Sequence, residues 1–350
     1  MIYYASTIAG IQMNKQSTST NKRYIFSGKL YIVIPLLLLL LLTMLIVSFM
    51  LGVNNYSFKT IYDALFHYRD ISEHNIIRDI RMPREIAAML VGMSLACTGA
   101  VMQGVTKNPL ADPALIGLNS GAALGISILF AFTSGANFFA IILAGFIGAI
   151  VGGTIVLMLG LSKKGGFNTM RIILAGAAVS SLLLAIAEGI SLYFRTNQSS
   201  MLWSSAGVAG TTWTQLKYAS PIILIVIIFV LLIGHQLTVL SLGDEMAQGL
   251  GVNLTSIRII FSLLTMILAG VAVAMAGSLA FVGLMIPHIA RLLVGVDYRK
   301  LLPVATLLGG IFLVCADILA RMMGESPVGA IISIIGVPFF IYLVRKVGIS

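Results

Sequence analysis

Charge is scarce in this sequence. Asp, Glu, Lys and Arg make up 10% of its 350 residues, against 59% hydrophobic residues and a mean hydropathy of +1.03. That is too little polar surface to clothe a soluble globule, so the chain is read as a polytopic membrane protein. Acid is scarcer than base, 12 residues against 22, for a net charge of +10. In a soluble chain such a balance would suggest nucleic acid. Here the basic residues sit in loops between apolar runs and serve as topology signals, so no nucleic-acid partner is expected. Cys97 and Cys315 are the only cysteines and both fall inside apolar segments, which excludes a disulfide framework or a thiolate metal site. The four histidines, His67, His74, His235 and His288, are scattered without the spacing of a metal site. No metal, cofactor or catalytic residue is therefore expected. A phosphate-cradling G-x-x-x-x-G-K-[ST] loop is also missing, so a chain of this kind that moves a solute uphill must draw on an ion gradient or on another subunit.

What the chain has is length in apolar runs. Hydrocarbon is ~30 Å thick and a helix rises ~1.5 Å per residue, so about 20 apolar residues cross it. The stretch Ile77 to Gly125 sets the pattern. An arginine-rich start (Arg78, Arg81, Arg84) turns at Pro83 into an apolar segment that stops at Lys107, Asn108 and Pro109, and a second, glycine-rich segment follows. Hydropathy places ten transmembrane helices: 30–53, the segment around Met89 to Val105, 114–133, 137–161, 170–194, 217–237, 256–276, a short one near 280–293, 301–320 and 328–345. Residues 1–29 are polar and are expected to form a disordered cytoplasmic tail, with a transmembrane domain over 30–350. Residues 54–79 mix aromatics with both signs of charge, as an amphipathic helix at the interface would.

An even number of spans puts both termini on one side. With the termini inside, fourteen of the 22 basic residues fall in inner segments and eight in outer ones, so both termini are expected in the cytoplasm. Three of those eight crowd together at 78, 81 and 84, and a positive cluster on the disfavoured side needs a reason of its own. Glycines at small-xxx-small spacing (Gly117, Gly121, Gly125; Gly145, Gly148, Gly152; Gly270, Ala274) suit close helix packing in lipid.

Few polar groups within the spans could do chemistry. Asp317 and Arg321 are spaced for an intrahelical pair. Glu188 lies seven residues before Arg195, and either snorkels to the outer interface or faces a substrate pathway. Ion-coupled carriers place ionisable groups at mid-membrane depth, whereas Glu188 and Asp317 lie towards span ends. In the loop at about 238–255, Asp244, Ala247 and Gly251 form an acidic-x-x-Ala-x-x-x-Gly pattern, the mark of a short helix closed by glycine.

Together these residues resemble a known signature. IRMPR (Ile80 to Arg84), then Gly92, Gly99, Gln103 and NPLADP (Asn108 to Pro113), with RIILAG (Arg171 to Gly176), LGDEMAQGLG (from Leu242), AGSLAFVGLMIPHIARLLVG (Ala276 to Gly295), LLP (Leu301 to Pro303) and AD-x-x-AR (Ala316 to Arg321), resemble the FecCD-type permeases of binding-protein-dependent ABC importers for ferric siderophores, haem and cobalamin. The resemblance implies an all-α fold of the cobalamin-importer-permease (type II ABC importer) kind. It further implies a second permease subunit, identical or paralogous, two cytoplasmic ATP-binding subunits that hydrolyse the ATP, and an extracytoplasmic substrate-binding lipoprotein. It assigns Arg81, Arg84 and Arg321 to docking of that lipoprotein. Leu242, Gly243, Asp244, Ala247 and Gly251 become the coupling element seated in the ATPase, Asn168 and Thr169 the cytoplasmic gate, and Glu188 a pathway position. A ferric siderophore, of hydroxamate type, is the expected cargo; haem or cobalamin, or an ion-coupled carrier acting alone, are the alternatives.

Overall fold

The computed structural model describes residues 30–113, 117–133, 135–161, 169–249 and 253–347. They are helical, with no strand among the described residues. In chain order the helices are α1 (Leu30–Met50), α2 (Phe58–Phe66), α3 (Ser72–Asn75), α4 (Met82–Thr106), α5 (Leu118–Phe132), α6 (Phe138–Leu161), α7 (Thr169–Tyr193), α8 (Asn197–Ala206), α9 (Trp213–Ile233), α10 (His235–Ser241), α11 (Asp244–Gly249), α12 (Leu254–Ala276), α13 (Val282–Val294), α14 (Tyr298–Met322) and α15 (Val328–Val347). A π-helical stretch, Ile76–Arg81, joins α3 to α4 without a break. Among the described residues seven helices are long and apolar enough to cross a membrane, and α5, α13 and α15 are shorter apolar helices. Each of these helices overlaps a segment read from hydropathy, seven of them with the length of a span, and the chain is a multi-pass membrane protein.

The centre of the bundle is α4, buried along most of its length and packed against α12, α13 and α14. Glycine sets those approaches. A Cβ on Gly92 would collide with the carbonyl of Gly309 in α14, and one on Gly99 with the carbonyl of Gly283 in α13. The α5–α6 pair interlocks in the same way, Gly121 against Gly148 and Gly125 against Ala144. Apolar side chains gain little by leaving lipid for protein, so contact of this kind is what holds the helices together.

Two features depart from plain spans. The segment 54–79 holds not one amphipathic helix but α2, α3 and the π-helical stretch; Ser57 caps α2, its Oγ accepting from the Thr60 amide at 3.2 Å. The second departure is α13. Its 13 residues span only ~20 Å at ~1.5 Å per residue. Gly283, near its start, abuts the Leu95 carbonyl and Gly99 of α4, well inside that helix. The connection from α12 therefore runs within the bundle, where Leu279 is buried and Ser278 Oγ accepts from Asn119 Nδ2 at 2.9 Å. Irregular backbone at such depth is tolerated only when shielded by protein or lining a cavity.

Candidate functional site

The arginines singled out at one end of the bundle lie inside the fold, 7%, 7% and 3% exposed for Arg81, Arg84 and Arg321. Arg84 leaves the first turn of α4 and meets the last turns of α14: its Nε donates to both oxygens of Asp317 at 3.1 and 3.0 Å, and its Nη2 to Oδ1 at 3.0 Å. Its remaining nitrogen, Nη1, donates to Glu325 Oε2 at 2.7 Å. Arg321 lies 3.2 Å from Asp317 through Nε and 2.6 Å from Glu85 Oε1 through Nη2, which also donates to Ser48 Oγ of α1. The intrahelical Asp317–Arg321 pair is thus one edge of a larger network. Arg81 makes no ion pair with a carboxylate among the described residues. It donates to the carbonyls of Phe49 (2.6 Å), Leu51 (3.4 Å) and Asn54, and its guanidinium stands 4.5 Å from the Tyr56 ring centroid.

Three arginines and three carboxylates are gathered here, formally neutral together. A forked, permanently charged guanidinium suits each bond, since it can serve two acceptors in one plane. Glu85, Ser48, Tyr56 and Glu325 were not singled out from sequence. Glu85 had a local signal, an acid in the first turn of an apolar helix where the dipole favours negative charge. Glu325 had none, being far along the chain, yet it is the solvent-facing member, its side chain 45% exposed. Its φ of +60 lies in the left-handed region that disfavours residues other than glycine.

At the opposite end α10 and α11 form the loop element. Leu237 and Leu240 anchor α10 in the core, and Thr238 Oγ1 donates to Asp297 Oδ1 at 3.2 Å while accepting the Tyr298 amide at 3.0 Å. Gly243, at φ +116, breaks the chain between the two helices. In α11 Ala247 is fully buried and Met246 is 66% exposed, while Leu242, just after α10, is 54% exposed. The element offers an apolar pair to its surroundings, and Met246 joins the residues named from sequence. Asp244 opens α11, but its side chain lies outside the described residues, as does Gly251. Asn168 also lies outside them; Thr169 is the first residue of α7, its side chain outside the described part.

Glu188 does not meet Arg195. The last turn of α7 ends at Tyr193, and Arg195 turns away at φ +58. Glu188 instead lines a cavity of about 300 Å³ between α5, α7 and α8, at the arginine end of the molecule. The helix that closes this cavity, α8, had not been expected from sequence.

Comparison with known proteins agrees with this architecture. The model of the FecCD transport family matches residues 38–346. The iron(3+)-hydroxamate import system permease FhuB of Bacillus subtilis (strain 168) is 42% identical over 303 residues, covering 85% of this chain and 79% of that protein. The hemin transport system permease HmuU of Yersinia pestis is 38% identical over 325 residues, covering 89% and 94%. Among solved structures, an inward-facing metal-chelate-type ABC transporter superposes with a TM-score of 0.79 at 28% identity, covering 91% of this chain and 99% of that one. A match running over nearly all the spans, backed by the same fold, leaves one assignment: the chain belongs to the FecCD transport family.

Proposed function

We propose that this chain is the membrane-spanning permease subunit of an ATP-driven, binding-protein-dependent importer that carries ferric siderophores, of hydroxamate type, into the cytoplasm. The observation that carries the reading is its similarity to the iron(3+)-hydroxamate permease over most of both chains. The subunit is not itself an enzyme. It works with a second permease, two cytoplasmic ATP-binding subunits and an extracytoplasmic binding protein, with its own termini in the cytoplasm.

In this reading α11 and its approach couple the permease to the ATPase. The exposed Leu242, at the end of α10, and Met246, on the short α11 held by the buried Ala247, give a groove on that subunit something apolar to grip. Docking at the other end takes an exchange form. Arg84 and Arg321 are already paired within the chain, so a carboxylate of the binding protein gains most where it can replace a weakly held partner. Glu325 is that partner: exposed, backbone-strained, and bound to the one guanidinium nitrogen of Arg84 that Asp317 leaves free. Arg81 and Arg321 then act as the positive background of the docking patch.

The test is uptake of labelled ferric hydroxamates, haem and cobalamin by cells with and without the gene, repeated with the ion gradient collapsed and ATP maintained. Ferric hydroxamate uptake that survives collapse is the expected result. Uptake of haem or cobalamin in its place would assign the alternative cargo, and uptake lost with the gradient would overturn ATP coupling.

A further inference from the structure

The cavity beside Glu188 is unusual in its electrical character. Its wall carries hydroxyl, amide and indole groups, from Ser127, Ser191, Asn197, Ser200 and Trp203, and one formal charge, the Glu188 carboxylate. No Lys or Arg is among the described residues that line it. The hydroxyls are ordered among themselves: Ser191 Oγ donates to Ser127 Oγ at 3.2 Å and lies 3.2 Å from Ser200 Oγ. Trp203 is held from behind, its Nε1 donating to the Ala274 carbonyl at 3.5 Å. Glu188 makes no ion pair or hydrogen bond with any described residue. Elsewhere at this end of the bundle, Glu85, Asp317 and Glu325 are paired with arginine. Glu188 is exposed towards the end of α7, so its carboxylate is open to water or to a cation that enters the cavity.

We propose that this cavity is a subsite for a cationic arm of the transported chelate, with Glu188 as its counter-ion. The inference rests on the siderophore reading and narrows it. A cavity of about 300 Å³ takes an arm of a chelate rather than a whole one, as drug-sized ligands fill ~300–1,000 Å³. An ammonium on that arm meets the carboxylate while the serine hydroxyls and Asn197 offer hydrogen bonds to amide or hydroxamate groups. The same carboxylate repels ferric citrate or a tris-catecholate, whose chelates are anionic. Cargo is thus sorted by charge: cationic and neutral hydroxamates pass, anionic chelates are disfavoured.

The test uses the complete importer in proteoliposomes with its own binding protein, and a matched pair of probes. These are a ferric linear trihydroxamate with a free terminal ammonium, and the same chelate with that amine acetylated. Holding the binding protein constant, any change in their uptake ratio reports the permease. Glu188→Gln should lower the cationic-to-acetylated ratio about tenfold, the scale of one partly solvated charge contact, with the difference shrinking at high salt. Glu188→Asp should keep the wild-type ratio, and Glu188→Lys should reverse it. Chelate uptake with the same ratio in wild type and all three variants would overturn the subsite while leaving the siderophore reading intact. Absence of uptake of either chelate by the wild-type importer would overturn both.

Discussion

Asp317 is the residue on which the arginine cluster turns. It accepts from Arg84 and also faces Arg321, and its side chain is wholly buried. Removing one member of a buried pair leaves the others as uncompensated charge, at a cost of about 3–5 kcal/mol. Asp317→Asn is therefore expected to destabilise by that amount, seen as a drop in thermal midpoint of the detergent-solubilised protein. Glu325→Gln, at the exposed rim, should stay within about 1 kcal/mol. Equal effects of the two would refute the assignment of Asp317 as the hub. The same geometry warns that Arg84→Glu, the natural charge reversal for testing docking, sets a third carboxylate against Asp317 and Glu325 and will lower abundance. Glu325→Lys is the cleaner probe of docking: it removes the internal competitor for Arg84 and adds a positive charge without emptying the core, so capture of the binding protein should tighten while abundance holds, and weakened capture would refute the exchange. Sequence had found the arginines because they stood on the disfavoured side. It could not show that they were buried, since Ser48, Glu85 and Asp317 converge on them only through the packing of α1, α4 and α14.

At the scale of elements, long apolar helices were legible because twenty apolar residues in a row have few alternatives in a membrane. Short elements were not. α8 carries mixed serine, asparagine and tryptophan without helical periodicity, and the turn before α13 carries only one polar residue, Ser278, so hydropathy ran straight across it. The π-helical stretch left no mark either, although it ends on the inward-turned Arg81, and such turns concentrate at functional sites. The coupling element was legible as a pattern, but its exposed pair was not, because exposure of Met246 depends on Ala247 being the side that packs. Replacing Leu242 and Met246 together by Asp should leave folding unchanged, as both already face outward. Co-purification of the ATP-binding subunit should fall at least tenfold, the size of about 1.4 kcal/mol of lost contact. An unchanged complex would move the coupling contact elsewhere.

At the scale of the whole molecule, contacts between helix ends fix an alternation that hydropathy could only assume. The end of α1 and the start of α4 meet the end of α14 through Ser48, Arg84, Asp317 and Arg321. The start of α9 joins them, Trp213 Nε1 donating to the Arg78 carbonyl at 2.9 Å, and the start of α6 joins α9 where Phe139 and Tyr218 lie 5.0 Å apart. At the other end Gly104, near the end of α4, packs on Tyr298 at the start of α14, beside Thr238. Since α1 ends at the arginine cluster and α15 begins just beyond Glu325, the start of α1 and the end of α15 share the opposite end, with the coupling element. This fixes relative positions, and the excess of basic residues at that end is the ground on which we propose that it is the cytoplasmic one. Single cysteines introduced at Asn55 and at Gln248, in a background with Cys97 and Cys315 replaced by Ala, should therefore label oppositely with a membrane-impermeant maleimide in intact cells: Asn55 modified, Gln248 protected until the membrane is opened. Labelling of both from outside would break the bundle's alternation. The reverse pattern would invert the molecule, placing the arginine cluster in the cytoplasm, and with it the docking and coupling assignments would exchange ends.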